Sequence, residues 1–171
     1  LVPKQLPLST LQRVLQNLLE EGVTIRDMRT IIETLAEHAP RNQEPLVLTS
    51  LVRIALGRAI VQQLYPGSNE MQVMALEPGL ERMLGQALQG GGEDASGIEP
   101  GLADTLMREI AVASQRQEDL GLPPVLLVPG NVRWLLSRFL RRVVPQLKVI
   151  ANAEVPDSRT IKVTTIIGAT K

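Results

Sequence analysis

VTIRDMRTIIETLAEHA, residues 23–39, is the stretch on which the reading of this chain turns. Its apolar residues Ile25, Met28, Ile31, Ile32, Leu35, Ala36 and Ala39 recur at helical spacing and mark one face of an α-helix. Thr24 is placed to cap it, its hydroxyl taking the Asp27 amide. The Asp27 carboxylate then favours the positive end of the helix dipole and reaches back to the cap. Val23 and Met28 take the N′ and N4 places of a hydrophobic staple. Pro40 ends the helix by disfavouring helical geometry at Ala39. The opposite face, Arg26, Asp27, Arg29, Thr30, Glu33 and Glu37, is polar and carries both signs of charge. Such a face is either merely solvated, as most charged helix faces are, or the back of a docked helix left for a partner.

Upstream, residues 1–7 read as an extended lead-in and Ser9 as the cap of a helix, with Gln12 in the reciprocal capping-box position. Leu11, Val14, Leu15, Leu18 and Leu19 form its buried stripe, and Gly22 is its stop. Downstream, Glu44 and Pro45 open a third helix, with proline at the tolerated first position. It is read as running to about Leu64, its wide apolar stripe made of Leu48, Leu51, Val52, Ala55, Leu56, Ala59 and Ile60. Tyr65-Pro66-Gly67-Ser68-Asn69 breaks the pattern and is the best domain boundary.

Beyond it the pattern changes. Residues 71–76 alternate weakly and read as a strand. Leu80, Met83, Leu84, Ala87 and Leu88 give a short helix, residues 90–101 a polar glycine-rich loop, and residues 102–118 a second helix. Val125–Val128, VLLV, is wholly apolar, which fits a central strand buried on both faces. Asn131 caps a third helix with buried positions Val132, Leu135, Leu136, Phe139, Leu140 and Val143, ended by Pro145. Residues 147–151 and Thr160–Ile167 read as two more strands. The fold class is therefore α+β: an N-terminal three-helix, winged-helix-like subdomain (1–66) followed by a small α/β subdomain (67–171) ordered β-α-α-β-α-β-β.

Composition narrows the chemistry. The chain has 171 residues, 44% of them hydrophobic and only 2% aromatic, so its cores must be aliphatic. Tyr65, Trp134 and Phe139 offer almost no stacking platform for single-stranded nucleic acid. Formal net charge is zero, so no global field steers the chain to a polyanion. Without cysteine there are no disulfides, thiol nucleophiles or cysteine zinc sites. His38 is the single histidine, which excludes a multi-histidine metal site. No apolar run approaches the roughly 20 residues that span a bilayer. LVPKQLP lacks the regions of a signal peptide, and with no initiator methionine the chain reads as a piece of something longer.

Local motifs add little chemistry. Gly90–Gly92 suggests a phosphate loop, but Glu93-Asp94 follow where a P-loop needs Gly-Lys-Ser/Thr, and two acids repel phosphate. The densest positive patch is Arg133, Arg138, Arg141 and Arg142, of which the last three share a helix face. They answer the helix dipole, or contact a partner or neighbouring subunit. Trp134 reads as packing in a core or at a domain seam, and second as a partner hot spot. A helix-turn-helix would turn Arg26, Arg29 and Arg41 to DNA, but Asp27, Glu33 and Glu37 lie among them. An enzyme would need shifted titrating groups near His38, Glu20-Glu21 or Glu93-Asp94, and no nucleophile–base pair asks for one. Catalytic, cofactor and metal residues are all expected to be absent.

Three stretches go further. LVPKQLPLSTLQRVLQNLLEEGVTIRDMRTIIETLAEHA (1–39), LPPVLLVPGNVRWLLSRFLRR (122–142) and LKVIANAEVPDSRTIKVTTIIG (147–168) resemble the C-terminal cytoplasmic end of the bacterial type III export-gate family, the flagellar branch above all. The resemblance implies a membrane-anchored gate whose cytosolic part has four subdomains, of which this chain holds the third (1–66) and fourth (67–171). It implies a nonameric ring of export-gate subunits on the cytoplasmic face of the inner membrane. Export chaperones with cargo would bind largely through the earlier subdomains, and the ATPase stalk protein between fourth subdomains. It implies neither catalysis nor nucleic acid, and no membrane contact by this part. Within it, Arg26, Arg29 and Glu33 are the candidate subunit or linker contact, and Trp134, Arg138, Arg141 and Arg142 a second contact. The alternative is a winged-helix-like nucleic-acid-binding module.

Overall fold

A computed structural model describes residues 6–91 and 100–168. The chain divides into two compact units. One comprises the residues up to Pro66 together with Glu154–Pro156; the other comprises Gly67–Ala153 and the residues from Asp157 onward.

In the first unit, α1 (Leu8–Glu20), α2 (Met28–His38), α3 (Pro45–Ala55) and α4 (Gly57–Leu64) surround an aliphatic core. α3 packs on both α1 and α2. Val14, Leu18, Ile31, Leu35, Leu48 and Val52 fill the space between them, all buried. Each contributes about 1.5–3 kcal/mol by leaving water. Gly22 stops α1 as expected: at φ 76° it lets the Val23 amide return to the Leu18 carbonyl at 2.9 Å.

Several local expectations give way. α1 starts at Leu8 behind Pro7 with no side-chain cap, so Ser9 lies inside the helix. Leu19 of the predicted stripe is exposed and Asn17 is buried in its place, its amide donating to the Thr49 hydroxyl at 3.1 Å. The decisive helix starts five residues later than Val23. Asp27, not Thr24, caps it, accepting from the Thr30 amide at 3.1 Å and the Thr30 hydroxyl at 2.7 Å. A carboxylate that takes two donors outcompetes the Thr24 hydroxyl, which takes only the Arg26 amide. Residues 23–27 then form no regular element, and Met28 is exposed at the first turn with no staple to make. The third predicted helix is two helices, α3 and α4, bent by 67° at Leu56. A Cβ at position 57 would overlap the Glu154 carbonyl, so the bend is built where only glycine admits the approaching backbone. Ala55 and Ala59 of its supposed stripe face solvent.

The second unit follows the expected order: β1 (Glu70–Leu76), α5 (Pro78–Gly91), α6 (Pro100–Asp119), β2 (Val125–Val128), α7 (Gly130–Leu140), β3 (Lys148–Ala151) and β4 (Thr160–Ile167). The sheet runs β3-β2-β1-β4 with every pair parallel. VLLV is an inner strand buried along its whole length, as its composition required. Met74, Leu76, Leu126, Val128, Val149 and Ile167 face one core with side chains of α5, α6 and α7, so all three helices cover the same side of the sheet. β4 lies at the edge and carries a bulge opposite Val73/Met74. There the Thr164 hydroxyl sits 3.1 Å from the Val73 carbonyl and 2.8 Å from Gln117 Oε1. Asn131 does not cap α7, whose N-cap is Pro129. Val143 is exposed, and Val144 is buried in its stead.

Candidate functional site

On the polar face of α2, Arg29 Nε lies 3.2 Å from Glu33 Oε2, both side chains well exposed. Such a solvated i,i+4 pair contributes little to stability. Arg26, grouped with them in sequence, precedes the helix and does not share its face. His38 ends α2 with Nε2 3.4 Å from Glu37 Oε2.

The arginine patch is smaller than its spacing suggested. Arg133 is buried, and its guanidinium donates to the Val149 carbonyl at 3.2 Å, tying α7 to β3. α7 stops at Leu140, so Arg141 is its C-cap and Arg142 belongs to the turn beyond. Arg138 and Arg142 are exposed and Arg141 is half-buried. Trp134 is half-buried, and its Nε1 is shielded from solvent with no hydrogen-bond partner among the described residues. The glycine run ends α5 through Gly91, and its sequel at 92–99, including Glu93-Asp94, lies outside the described residues. Among the described residues no cluster of histidine, aspartate or glutamate could hold a metal ion.

Sequence reasoning missed the most heavily charged cluster of the first unit. Arg53 is buried on α3 and grips Glu154 with both arms: Nε to Oε2 at 2.8 Å and Nη2 to Oε1 at 3.0 Å. Its Nη1 lies 3.7 Å from Glu21 Oε1. Burial opposes the charge on Arg53, but the Glu154 hydrogen bonds, the Glu154 charge and the Glu21 charge outweigh it and hold the guanidinium pKa above its ordinary value. Glu21, half of the Glu20-Glu21 acid pair, has its carboxylate enclosed here. The available signal was a charge between Val52 and Ile54 in an apolar stripe. Its partner, 101 residues along the chain, could not be read from that signal.

The FHIPEP family model matches residues 1–160 of this architecture. The chain belongs to the FHIPEP family. FHIPEP relatives include the flagellar biosynthesis protein FlhA of Salmonella typhimurium, 60% identical over 168 residues, and that of Yersinia enterocolitica, 58% identical over 167. Each alignment covers 98% of this chain but 24% of the relative, so the chain spans about a quarter of the length of these curated relatives. Solved structures share the fold. The Chlamydia pneumoniae CdsV protein matches at TM-score 0.88 and 26% identity over 98% of this chain and 48% of its own. CdsV in complex with CdsO matches at 0.86 and 26%, over 97% and 49%. Nonameric EPEC SctV-C matches at 0.80 and 25%, over 97% and 50%. The resemblance to the type III export gates drawn from three stretches of sequence thus extends over nearly the whole chain.

Proposed function

We propose that this chain is the C-terminal cytosolic part of a flagellar type III export gate, acting as a ring scaffold and protein-docking module rather than an enzyme. One observation carries the reading: FlhA proteins match 98% of the chain at 58% and 60% identity. In this reading residues 1–66 are the third cytosolic subdomain and 67–171 the fourth. The longer protein is anchored in the inner membrane, and this part works on its cytoplasmic face. The fold shared with nonameric SctV-C supports assembly with other gate subunits in a ring, and the CdsV–CdsO complex supports docking of a further protein. Export chaperones with cargo and the ATPase stalk protein are the proposed partners. Arg26, Arg29 and Glu33 form one proposed contact, and Arg138, Arg141 and Arg142 with Trp134 the other; Arg26, Arg29, Glu33, Arg138 and Arg142 are exposed, and Arg141 is half-buried.

The test is made in the full-length protein. Changing Arg138, Arg141 and Arg142 together to glutamate is expected to abolish motility and cargo secretion while protein level and folding stay normal. Wild-type export from that variant eliminates the arginine contact. Normal export after removal of residues 1–171 from the gate overturns the whole reading.

A further inference from the structure

The outer edge of β4 is a strand edge with no neighbour among the described residues. Eight residues long, it is the type of edge that proteins usually cover, shorten or break with proline. Its two faces differ. Residues paired across a parallel ladder share a face, so Ile161, Val163 and Ile166 lie with Met71, Val73 and Ala75 on the side away from the helices. The bulge is what brings Ile166 onto the same side as Val163. These three β-branched side chains are 42%, 46% and 51% exposed, an apolar stripe along the edge.

The helix side of the same edge is basic. Lys162 pairs with Gln72 and falls on that side. Between β4 and α6 lies an open groove of about 310 Å³, lined by Arg108, Glu109, Val112, Arg116, Thr165 and Ile167. Arg108, Val112 and Arg116 are spaced at i, i+4 and i+8 on α6 and are exposed. Neither arginine has an ion pair among the described residues. The one acid of the groove is engaged: Glu109 Oε1 accepts from the Gly168 amide at 2.9 Å. The Ile167 carbonyl is turned inward to the Glu77 amide at 2.9 Å, so the Gly168 amide points outward. The Glu109 carboxylate therefore occupies the place of an incoming strand's carbonyl.

We propose that the edge of β4 receives an extended segment of a partner protein in which acidic and β-branched apolar residues alternate. Strand addition supplies the main-chain hydrogen bonds, and the period of two sorts the side chains. The acidic set faces Lys162, Arg108 and Arg116, while the apolar set continues the stripe of Ile161, Val163 and Ile166. A second copy of this chain fits poorly, because two-fold pairing through β4 places arginine and lysine opposite their own kind. The inference is independent of the export-gate reading, and its test uses the 171-residue chain alone.

The probe is a fluorescein-labelled peptide of three Glu-Val repeats, followed by anisotropy. It is expected to bind about tenfold or more tightly than a Lys-Val peptide, as complementary charge demands. It should also outbind a version with proline at its centre, which removes a ladder donor. The doubly reversed variant, Arg108→Glu with Arg116→Glu, changes only exposed side chains. It should keep its circular dichroism and exchange preference, taking the Lys-Val peptide over the Glu-Val one. Amide shifts should fall on Ile161, Val163 and Ile166. No binding of the Glu-Val peptide, equal binding of both peptides, or binding that survives proline overturns the proposal. So does a concentration-dependent dimer of the chain that protects the β4 amides, which would give the edge to a second copy.

Discussion

The two units place polar groups in their interiors in opposite ways. In the first, a guanidinium and two carboxylates meet inside an aliphatic helical bundle, and Asn17 finds Thr49 nearby. Each of these side chains needs one particular partner side chain. In the second unit the sheet core is apolar, and two of its buried polar side chains, Gln117 and Arg133, reach for backbone. Gln117 Nε2 donates to the Gln72 carbonyl at 3.1 Å, and Arg133 donates to that of Val149. Backbone carbonyls are present whatever the sequence, so such anchors survive substitution of their neighbours. A buried charge cluster does not: breaking it strands a charge, whereas replacing it whole with apolar residues is often tolerated.

That contrast sets the size of the expected mutational effects. Arg53→Met leaves Glu154 and Glu21 enclosed without a counter-charge and should cost about 3–5 kcal/mol, measured by urea unfolding with far-ultraviolet circular dichroism. The triple replacement Glu21→Gln, Arg53→Met, Glu154→Leu should recover most of that loss. If it does not, the cluster differs from the second unit in more than charge. Leu126→Ala empties the centre of the buried β2 strand and should cost about 2–5 kcal/mol, followed by the fluorescence of Trp134 in the same unit. Gly57→Ala pushes a methyl into the Glu154 carbonyl and should cost about 1–3 kcal/mol, with faster amide exchange at residues 154–156.

The smallest effect belongs to Asp27→Ala. The Thr30 hydroxyl and then the Thr30 amide hold the Asp27 carboxyl below its ordinary pKa of 3.8. A depressed folded-state pKa contributes stability above the unfolded value and loses it as pH falls. The gap between wild type and Asp27→Ala should therefore be fully open at neutral pH. It should close as the pH drops through 3.8 toward the lower folded value, as thermal melts at a series of pH values would show.

These differences also account for what could be read beforehand. The second unit was legible in full order, because its signals are local: VLLV between turn residues, and helices punctuated by proline and glycine. The first unit concealed its bend, since apolar residues continue from Leu48 to Ile60 and a lone glycine inside a helical pattern is usually absorbed. The real cause, the Glu154 carbonyl, is distant in sequence. Arg133 was grouped with an exposed patch for the same reason: its partner, the Val149 carbonyl, lies outside its own helix. The cap lies at Asp27 and not at Thr24 because both residues suit the role, and only the observed Thr30 bonds decide between them. Of the proposed contact residues, Arg29 and Glu33 sit together as the spacing required. Arg138 lies in the last turn of α7, Arg141 caps it in helical geometry and Arg142 follows in the turn, a boundary that periodicity alone places only loosely.

The three residues Glu154–Pro156 give the chain an awkward anatomy for anyone who would take it apart. A scissor cut after Pro66 yields a helical piece with its arginine still inside and its bidentate acid gone. An expression clone for that half therefore needs either a grafted Glu154 loop or an uncharged residue at 53. A protease that nicks the backbone once near residue 66 would likewise cut the covalent path between Arg53 and Glu154.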